Sequence, residues 1–264
     1  MIVCADDFGL SEDINRAIIK LVERDRVSAV SCMVALPHFD RVAFAGLLTH
    51  KDRVDIGLHL TLTDIPPVCA GEAVKSLRQA SGLLPSMGSL LRRGIWGRVN
   101  PAEVANEVRS QYERFSQLTG HVPDYVDSHL HVHQFPGVRE GLLQFLDTVN
   151  SATGFYVRNS AMSLGKITRQ GVSPLKCLAI GFFGRRFRNA LEKRGLNTNS
   201  GFAGIYAYDG HRAYPEYLQR FTECMESRTG ILMTHPGERE SWREIEYRTL
   251  LEADCLTGKI NRFR

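Results

Sequence analysis

The sequence predicts an α/β fold: a largely parallel sheet, open or closed as a barrel, with helices packed outside it. Three observations lead there. Short apolar runs alternate with segments whose apolar residues recur every three or four positions. No internal repeat or low-complexity tract interrupts that alternation. Asp6-Asp7, His59, His129 and His235 each fall at the end of an expected strand, where folds of this class carry their chemistry.

Ile2, Val3, Cys4 and Ala5 make a short first strand, followed at once by Asp6-Asp7-Phe8-Gly9. Ser11 is placed as an N-cap, with Glu12 and Asp13 in the first helical turn, where acids complement the helix dipole. Ile14, Ala17, Ile18, Leu21 and Val22 then follow at helical spacing. A strand is expected over 29–36, broken by Pro37, a helix over 42–48, and a strand over 54–60 that carries His59. From 61 to 100 the pattern dissolves among prolines and glycines, with short helices over 74–79 and 87–92. So long an irregular stretch in a compact domain reads as an insertion or lid over the strand ends. Pro101 opens a helix and Gly120 stops it, with Val104, Val108, Tyr112, Phe115 and Leu118 three or four apart. Strands over 125–132, 155–158, 202–205 and 230–234, and helices over 138–149, 185–194, 214–227 and 242–253, complete the alternation.

The 264 residues, 43% hydrophobic and 23% charged, suffice for one sizeable core, and a single domain over 1–264 is expected. With 33 basic and 29 acidic residues the net charge of +4 is too balanced for a nucleic-acid binder. Six scattered cysteines without a C-x-x-C pair read as reduced thiols in a cytoplasmic protein. The first residues lack the basic and long apolar regions of a signal peptide, and no run approaches bilayer length, so no transmembrane segment is expected. A homodimer is left open.

Adjacent strand residues point to opposite faces, so Asp6 and Asp7 serve one site only where the chain turns, and Phe8-Gly9 is expected to supply that turn. Two neighbouring carboxylates repel unless a cation or a shared proton lies between them. By itself such a pair is equally compatible with a solvated helix cap. His59, between Leu58 and Leu60, is either a ligand or a hydrogen-bonded core histidine. The stretch Asp127-Ser128-His129-Leu130-His131-Val132-His133 is the most specific feature. As a strand it puts three imidazoles and one carboxylate on one face, an arrangement that is costly without a metal or an acid. Such donors suit zinc, manganese, iron or nickel, and a carboxylate-rich site with open positions admits magnesium. His235, fixed by Pro236, is either a turn histidine with no role or a general acid, which its ordinary pKa near neutrality would suit. Arg158 either orients a catalytic carboxylate, binds substrate or is an ordinary surface arginine, and Trp96 either stacks on a sugar or simply packs. The basic run Arg185, Arg186, Arg188, Lys193 and Arg194 beside Phe182, Phe183 and Phe187 reads either as a solvated face or as a surface for a membrane or acidic partner.

These residues, in this order, resemble the YdjC-like carbohydrate deacetylases, which include the chitooligosaccharide deacetylases. The matching segments are Ala5-Asp6-Asp7-Phe8-Gly9-Leu10-Ser11, Gly57-Leu58-His59-Leu60, the run from Asp127 through His133 to Gln134-Phe135-Pro136, and His235-Pro236. Phe182-Phe183-Gly184-Arg185-Arg186 and Asn197-Thr198-Asn199 look more like the hopanoid-biosynthesis-associated branch. The resemblance implies a distorted (β/α) barrel related to polysaccharide deacetylases. It implies a hydrolase that removes the acetyl group from an N-acetylated amino sugar, either a chitooligosaccharide or lipid-linked N-acetylglucosamine. It further implies a divalent metal, magnesium or else zinc, on Asp7, His59 and His129, with Asp6 as base and His235 as acid. His131 and His133 match family positions and, with Arg158 and Trp96, are assigned to substrate binding.

Two other readings remain at this stage. One is a different metal-dependent amidohydrolase or phosphoesterase, although those tend to carry His-x-His on the first strand, whereas here it lies mid-chain. The other is a non-catalytic sugar-binding protein on the same fold.

Overall fold

The computed structural model describes residues 1–36, 41–149, 154–208, 213–225 and 227–263. Seven parallel strands form one curled sheet in the order β5-β4-β3-β2-β1-β7-β6. They are β1 Ile2–Phe8, β2 Ala29–Cys32, β3 Asp55–Leu60, β4 Tyr125–Ser128, β5 Tyr156–Val157, β6 Gly201–Ala203 and β7 Gly230–Thr234. The helices are α1 Glu12–Glu23, α2 Arg41–Leu48, α3 Met87–Ile95, α4 Pro101–Thr119, α5 Val138–Leu146, α6 Leu164–Gln170, α7 Pro174–Glu192, α8 Tyr214–Glu223 and α9 Ser241–Glu252.

The two outer strands nearly meet. Val157 bridges in parallel to Thr198, and its N–H donates to the Asn197 carbonyl at 2.9 Å. Beyond that single bridge the seam is made of side chains. The Asn159 amide N–H donates to Asn199 Oδ1 at 2.7 Å, and Asn199 Nδ2 returns a bond to the Asn159 carbonyl at 2.9 Å. The result is a curled, distorted barrel, as the family resemblance implies.

Strand alternation sorts the core into two parts. Val3, Ala5, Val30, Ile56, Leu58, Leu60, Val126 and Leu232 belong to the large outer core shared with helices such as α1, α4 and α5. Ile2, Cys4, Ala29, Tyr125, Tyr156, Phe202, Ile231 and Met233 form a second cluster that fills the barrel interior. Gly57 is part of this interior: a Cβ there would lie 2.4 Å from the Tyr125 ring, so the glycine gives that ring its place.

Most expected elements are present with shifted ends. The first strand runs on through the Asp pair to Phe8, and the second stops at Cys32. Pro37, the expected breaker, lies outside the described residues. Ser11 does stand at the α1 N-cap, but its hydroxyl donates to Asp13 rather than accepting from the helix backbone. α6 was not foreseen, and α7 begins eleven residues earlier than the basic run suggested. Apolar residues on more than one side of α7 blurred its periodicity. The strand expected over 125–132 ends at Ser128. Leu130 and His131 then take left-handed φ values of 57° and 56° and wind the chain into a tight turn. The three histidines therefore do not share a strand face.

Candidate active site

The inward positions of the strands, continued beyond Cys4, Ser31, Gly57, Tyr125, Tyr156 and Met233, bring Asp6, His59, Asp127, Arg158 and His235 together above the filled interior. Asp6, His59 and His235 line a cavity of about 460 Å³, together with Asp7, His129 and His131. Asp127 and Arg158 lie beneath it, both 0% exposed.

Asp7 joins this group through a backbone irregularity. Its φ is 70°, and the register of β1 against β2 slips between Ala5 and Phe8. A bulge of this kind re-aims a side chain, and Asp and Asn tolerate the left-handed conformation better than most residues. Both adjacent carboxylates thus reach one site, from a bulge at Asp7 rather than from a turn at Phe8-Gly9.

Asp7 Oδ1 stands 3.1 Å from His129 Nδ1 and 3.4 Å from His59 Nε2. The three donor groups lie within 4.8 Å of one another. The other Asp7 oxygen accepts from Arg243 Nη2 at 2.7 Å, which fixes which oxygen faces the histidines. The far nitrogen of His59 is anchored on Asp127 Oδ1 at 2.6 Å. That carboxylate–histidine contact orients the ring and leaves Nε2 toward Asp7, as is usual behind metal ligands. The donor set of one carboxylate and two imidazoles fits a divalent cation. Without an ion, burial opposes a charged His59, but Asp127, Asp6 and Asp7 outweigh it and raise its pKa to about 10. Burial likewise works to raise the Asp7 pKa, and hydrogen bonds from His129 and His59 bring it well below the usual carboxylate range.

Asp6 is held differently. Arg158 grips both of its oxygens and also approaches Asp127 Oδ2 at 2.9 Å. Ser31 Oγ donates to the same Asp127 oxygen at 2.6 Å. Burial pushes the Asp6 pKa up, but Arg158, then His59, hold it well below its ordinary value. Asp6 is therefore held ionised, with both oxygens fixed.

His235 follows β7, with its ring at 5.0 Å from Tyr208 and 5.9 Å from Trp242. Burial lowers its pKa to about 4, although Asp7 and Asp6 pull it upward, so the near-neutral value expected from the sequence is not what this site gives the imidazole. Its Nδ1 is buried without a hydrogen-bond partner and faces Glu246 Oε1 at 4.0 Å. Burial raises Glu246 to about 7, against the hydrogen bonds from Tyr206 and the His235 backbone. Glu246 thus stands behind the imidazole as a carboxyl raised above its ordinary range, without a hydrogen bond to the ring.

The remaining sequence candidates separate. His131 lines the cavity and packs edge-on against Phe202. His133 is fully buried between Ser128 Oγ at 2.6 Å and the Arg158 carbonyl at 2.9 Å, away from the cavity wall. Arg158 lies behind Asp6, in the orienting position, and also does not reach the cavity wall. Trp96 is 71% exposed and stands with Arg92, Arg93 and Arg98 outside the cavity. From the segment 61–100, Met87 and Leu91 reach the cavity wall, while Val74, Leu77, Leu84 and Leu90 pack into the core. Sequence reasoning missed Arg243 and Glu246. Their signal was present: two charged residues three apart on one face of an expected helix, close after His235-Pro236.

Comparison with known proteins gives a consistent setting. The family model described as YdjC-like protein matches residues 1–258. A chitooligosaccharide deacetylase of Yersinia enterocolitica is 28% identical over 268 residues, covering 97% of this chain and 98% of the relative. A carbohydrate deacetylase of Xenopus laevis is 32% identical over 156 residues, covering 56% of this chain and 47% of the relative. The match therefore spans about half the length of that vertebrate protein, and the same holds for one from Danio rerio. A crystal structure from Enterococcus faecalis, provisionally described as a cellobiose-phosphate cleavage protein, superposes with a TM-score of 0.72 at 20% identity. It covers 99% of this chain and 96% of that one, which establishes the shared fold.

Proposed function

The chain belongs to the YdjC-like family, and from that premise we propose that it is a metal-dependent carbohydrate N-deacetylase, hydrolysing the acetamide of an N-acetylated amino sugar. The observation that carries the reading is the unequal treatment of two adjacent aspartates. Asp7 faces two imidazoles, and Asp6 is clamped by an arginine beside the same cavity.

Asp7, His59 and His129 would hold the ion, magnesium by family resemblance or zinc by donor type. A divalent cation there supplies polarisation of the acetyl carbonyl and a lowered pKa for the attacking water. Asp6 accepts the proton of that water, and Arg158 keeps its carboxylate ionised and aimed. His235 donates a proton to the departing amine. Glu246, a raised carboxyl 4.0 Å behind the ring, is the group placed to replenish its proton. Arg243 prevents Asp7 from rotating its second oxygen into the cavity. His131, as a wall residue, is the histidine placed to touch substrate, and His133 supports Arg158 from behind.

The cavity wall favours one substrate class. Met87, Leu91, Phe135, Ile180, Phe183 and Trp242 surround the polar floor with apolar surface. Such a wall suits an amino sugar carrying an apolar aglycone, as in lipid-linked N-acetylglucosamine, better than an extended polar oligosaccharide. The test is acetate release from N-acetylglucosamine, chitobiose and lipid-linked N-acetylglucosamine with magnesium, zinc and no added metal. Release from the lipid-linked sugar, dependent on a divalent ion, is expected. Phosphate release from phosphorylated sugars without any acetate release would overturn the reading.

A further inference from the structure

α7 presents three sectors at about 100° per residue. Cys177, Gly181, Gly184, Phe187 and Leu191 face the core. Lys176, Ala179, Ile180 and Phe183 line the cavity. The third sector points outward and is apolar at its N-terminal half: Leu175 is 82% exposed, Phe182 47% and Leu178 37%. Arg186 continues that stripe, its guanidinium 5.1 Å from the Phe182 ring. α3 repeats the plan on its own side of the cavity. Leu90 and Gly94 are buried, Met87 and Leu91 line the cavity, and Ile95 and Trp96 stand in solvent at 63% and 71%.

Charge is distributed to match. Residues 86–98 and 164–194 together hold eleven basic side chains and one acid, Glu192, whereas the rest of the chain holds twenty-two basic and twenty-eight acidic. Arg188 pairs with Glu192 and Arg194 with Asp147, toward the C-terminal end of α7. Among the described residues, Arg92, Arg93, Arg98, Arg185 and Arg186 have no carboxylate partner. Nearly neutral overall, the molecule therefore concentrates its positive charge on the segments that carry most of its exposed large apolar groups.

We propose that the outward faces of α3 and α7 dock on the surface of an anionic lipid bilayer, with the cavity mouth between them facing the headgroups. Exposed aliphatic and aromatic side chains beside arginines are what an interfacial surface requires: the apolar groups enter the headgroup boundary and the cations meet anionic lipid. Tryptophan at the edge of such a face suits the interface. A second copy of the same face is a poor occupant, since it would set two positive surfaces together. The inference concerns where the protein sits, and it is read without turnover, so it stands or falls separately from the deacetylase reading.

The experiment is co-sedimentation of the full chain with vesicles of phosphatidylcholine alone and of phosphatidylcholine mixed with phosphatidylglycerol. Binding to the mixed vesicles is expected. It should fade as salt rises from about 0.1 M to about 1 M, where screening shortens from about 10 Å to about 3 Å. Arg186→Glu should weaken it at least about tenfold, since each basic group near such a surface contributes roughly fivefold. Leu175→Asp with Phe182→Asp should abolish it, with circular dichroism checking the fold. A measurement on the unaltered protein supports these variants: tryptophan emission should shift to the blue and resist acrylamide quenching when mixed vesicles are added. No binding to the mixed vesicles, equal binding by every variant, or a stable dimer that ignores vesicles would each overturn the proposal.

Discussion

Arg158 binds both carboxylate oxygens of Asp6, Nη1 to Oδ1 and Nη2 to Oδ2, each at 2.7 Å, with both residues buried. That contact gives two chemically identical neighbours different work. Asp6 is committed to an arginine and kept ionised, while Asp7 is left to face the histidines.

Replacing Arg158 tests the commitment. Arg158→Met leaves Asp6 and Asp127 buried without their counter-ion and should cost about 3–5 kcal/mol of stability. Arg158→Lys keeps the charge but loses the two-pronged grip. It should lower acetate release more than it lowers stability, with metal content unchanged. Urea unfolding and metal analysis on the same samples check both; full activity in the lysine variant would deny Arg158 any role in aiming the base.

Asp6→Asn should keep bound metal and lose turnover by about 10²–10⁴-fold, because an amide cannot accept the proton. His235→Ala should also keep the metal but injure substrates unequally. An N-acetyl sugar has a poor leaving group and should suffer most, whereas an aryl acetate needs no acid and should be cleaved nearly as well. Equal losses on the two would assign His235 to binding instead.

Metal uptake should release protons. His59, raised to about 10 without an ion, must lose its proton before Nε2 can serve as a ligand. Affinity should therefore climb by up to about tenfold per pH unit across the neutral range, and titration in a weakly buffered solution should show about one proton released per ion. Asp127→Asn, which weakens the anchor on the ring, should reduce affinity by about 10–100-fold. Uptake that is independent of pH between 6 and 9 (roughly the range below the pKa of about 10) would remove His59 from the ligand set.

Glu246 makes stability depend on pH. Its folded pKa of about 7 lies above the ordinary 4.5, so its contribution is fully present below 4.5 and is lost as pH rises through 7. His235, lowered to about 4, acts in the opposite sense, since its contribution is lost as pH falls through that value. The comparison with Glu246→Gln isolates the first effect. The variant should gain on the wild type by an amount on the order of 3 kcal/mol between acid and mildly alkaline pH, read by chemical unfolding. Parallel stability curves for the two proteins would show that Glu246 is already ionised below neutrality.

Much of this site was readable from strand period and strand ends. The rule that chemistry sits at the C-terminal ends of parallel strands placed Asp6, Asp7, His59, His129 and His235 in one region, and the cavity is lined by all five. The same period misled at 129–133, because left-handed Leu130 and His131 are not announced by their residue types. The bulge at Asp7 was hidden for a related reason: a one-residue slip in register leaves no mark in an apolar strand. Arg158 was assigned to substrate binding, but it lies buried behind Asp6, and that burial depends on Asp6 and Asp127, which approach from 152 and 31 positions away in sequence. Arg243 and Glu246 went unread because charged residues on a surface helix are ordinarily solvated.

The seam of the barrel has a kinetic meaning. A sheet edge held by one bridge and a pair of asparagines has fewer backbone bonds to break than any interior strand pair, so local opening should begin there. Arg158 is the residue between the bridged Val157 and the clasped Asn159. Each excursion that parts Asn159 from Asn199 should therefore loosen the guanidinium from Asp6. Amide exchange at 157–159 and 198–199 would then report how often Asp6 is released, and the lifetime of the closed seam would set an upper limit on how long the clamped arrangement persists.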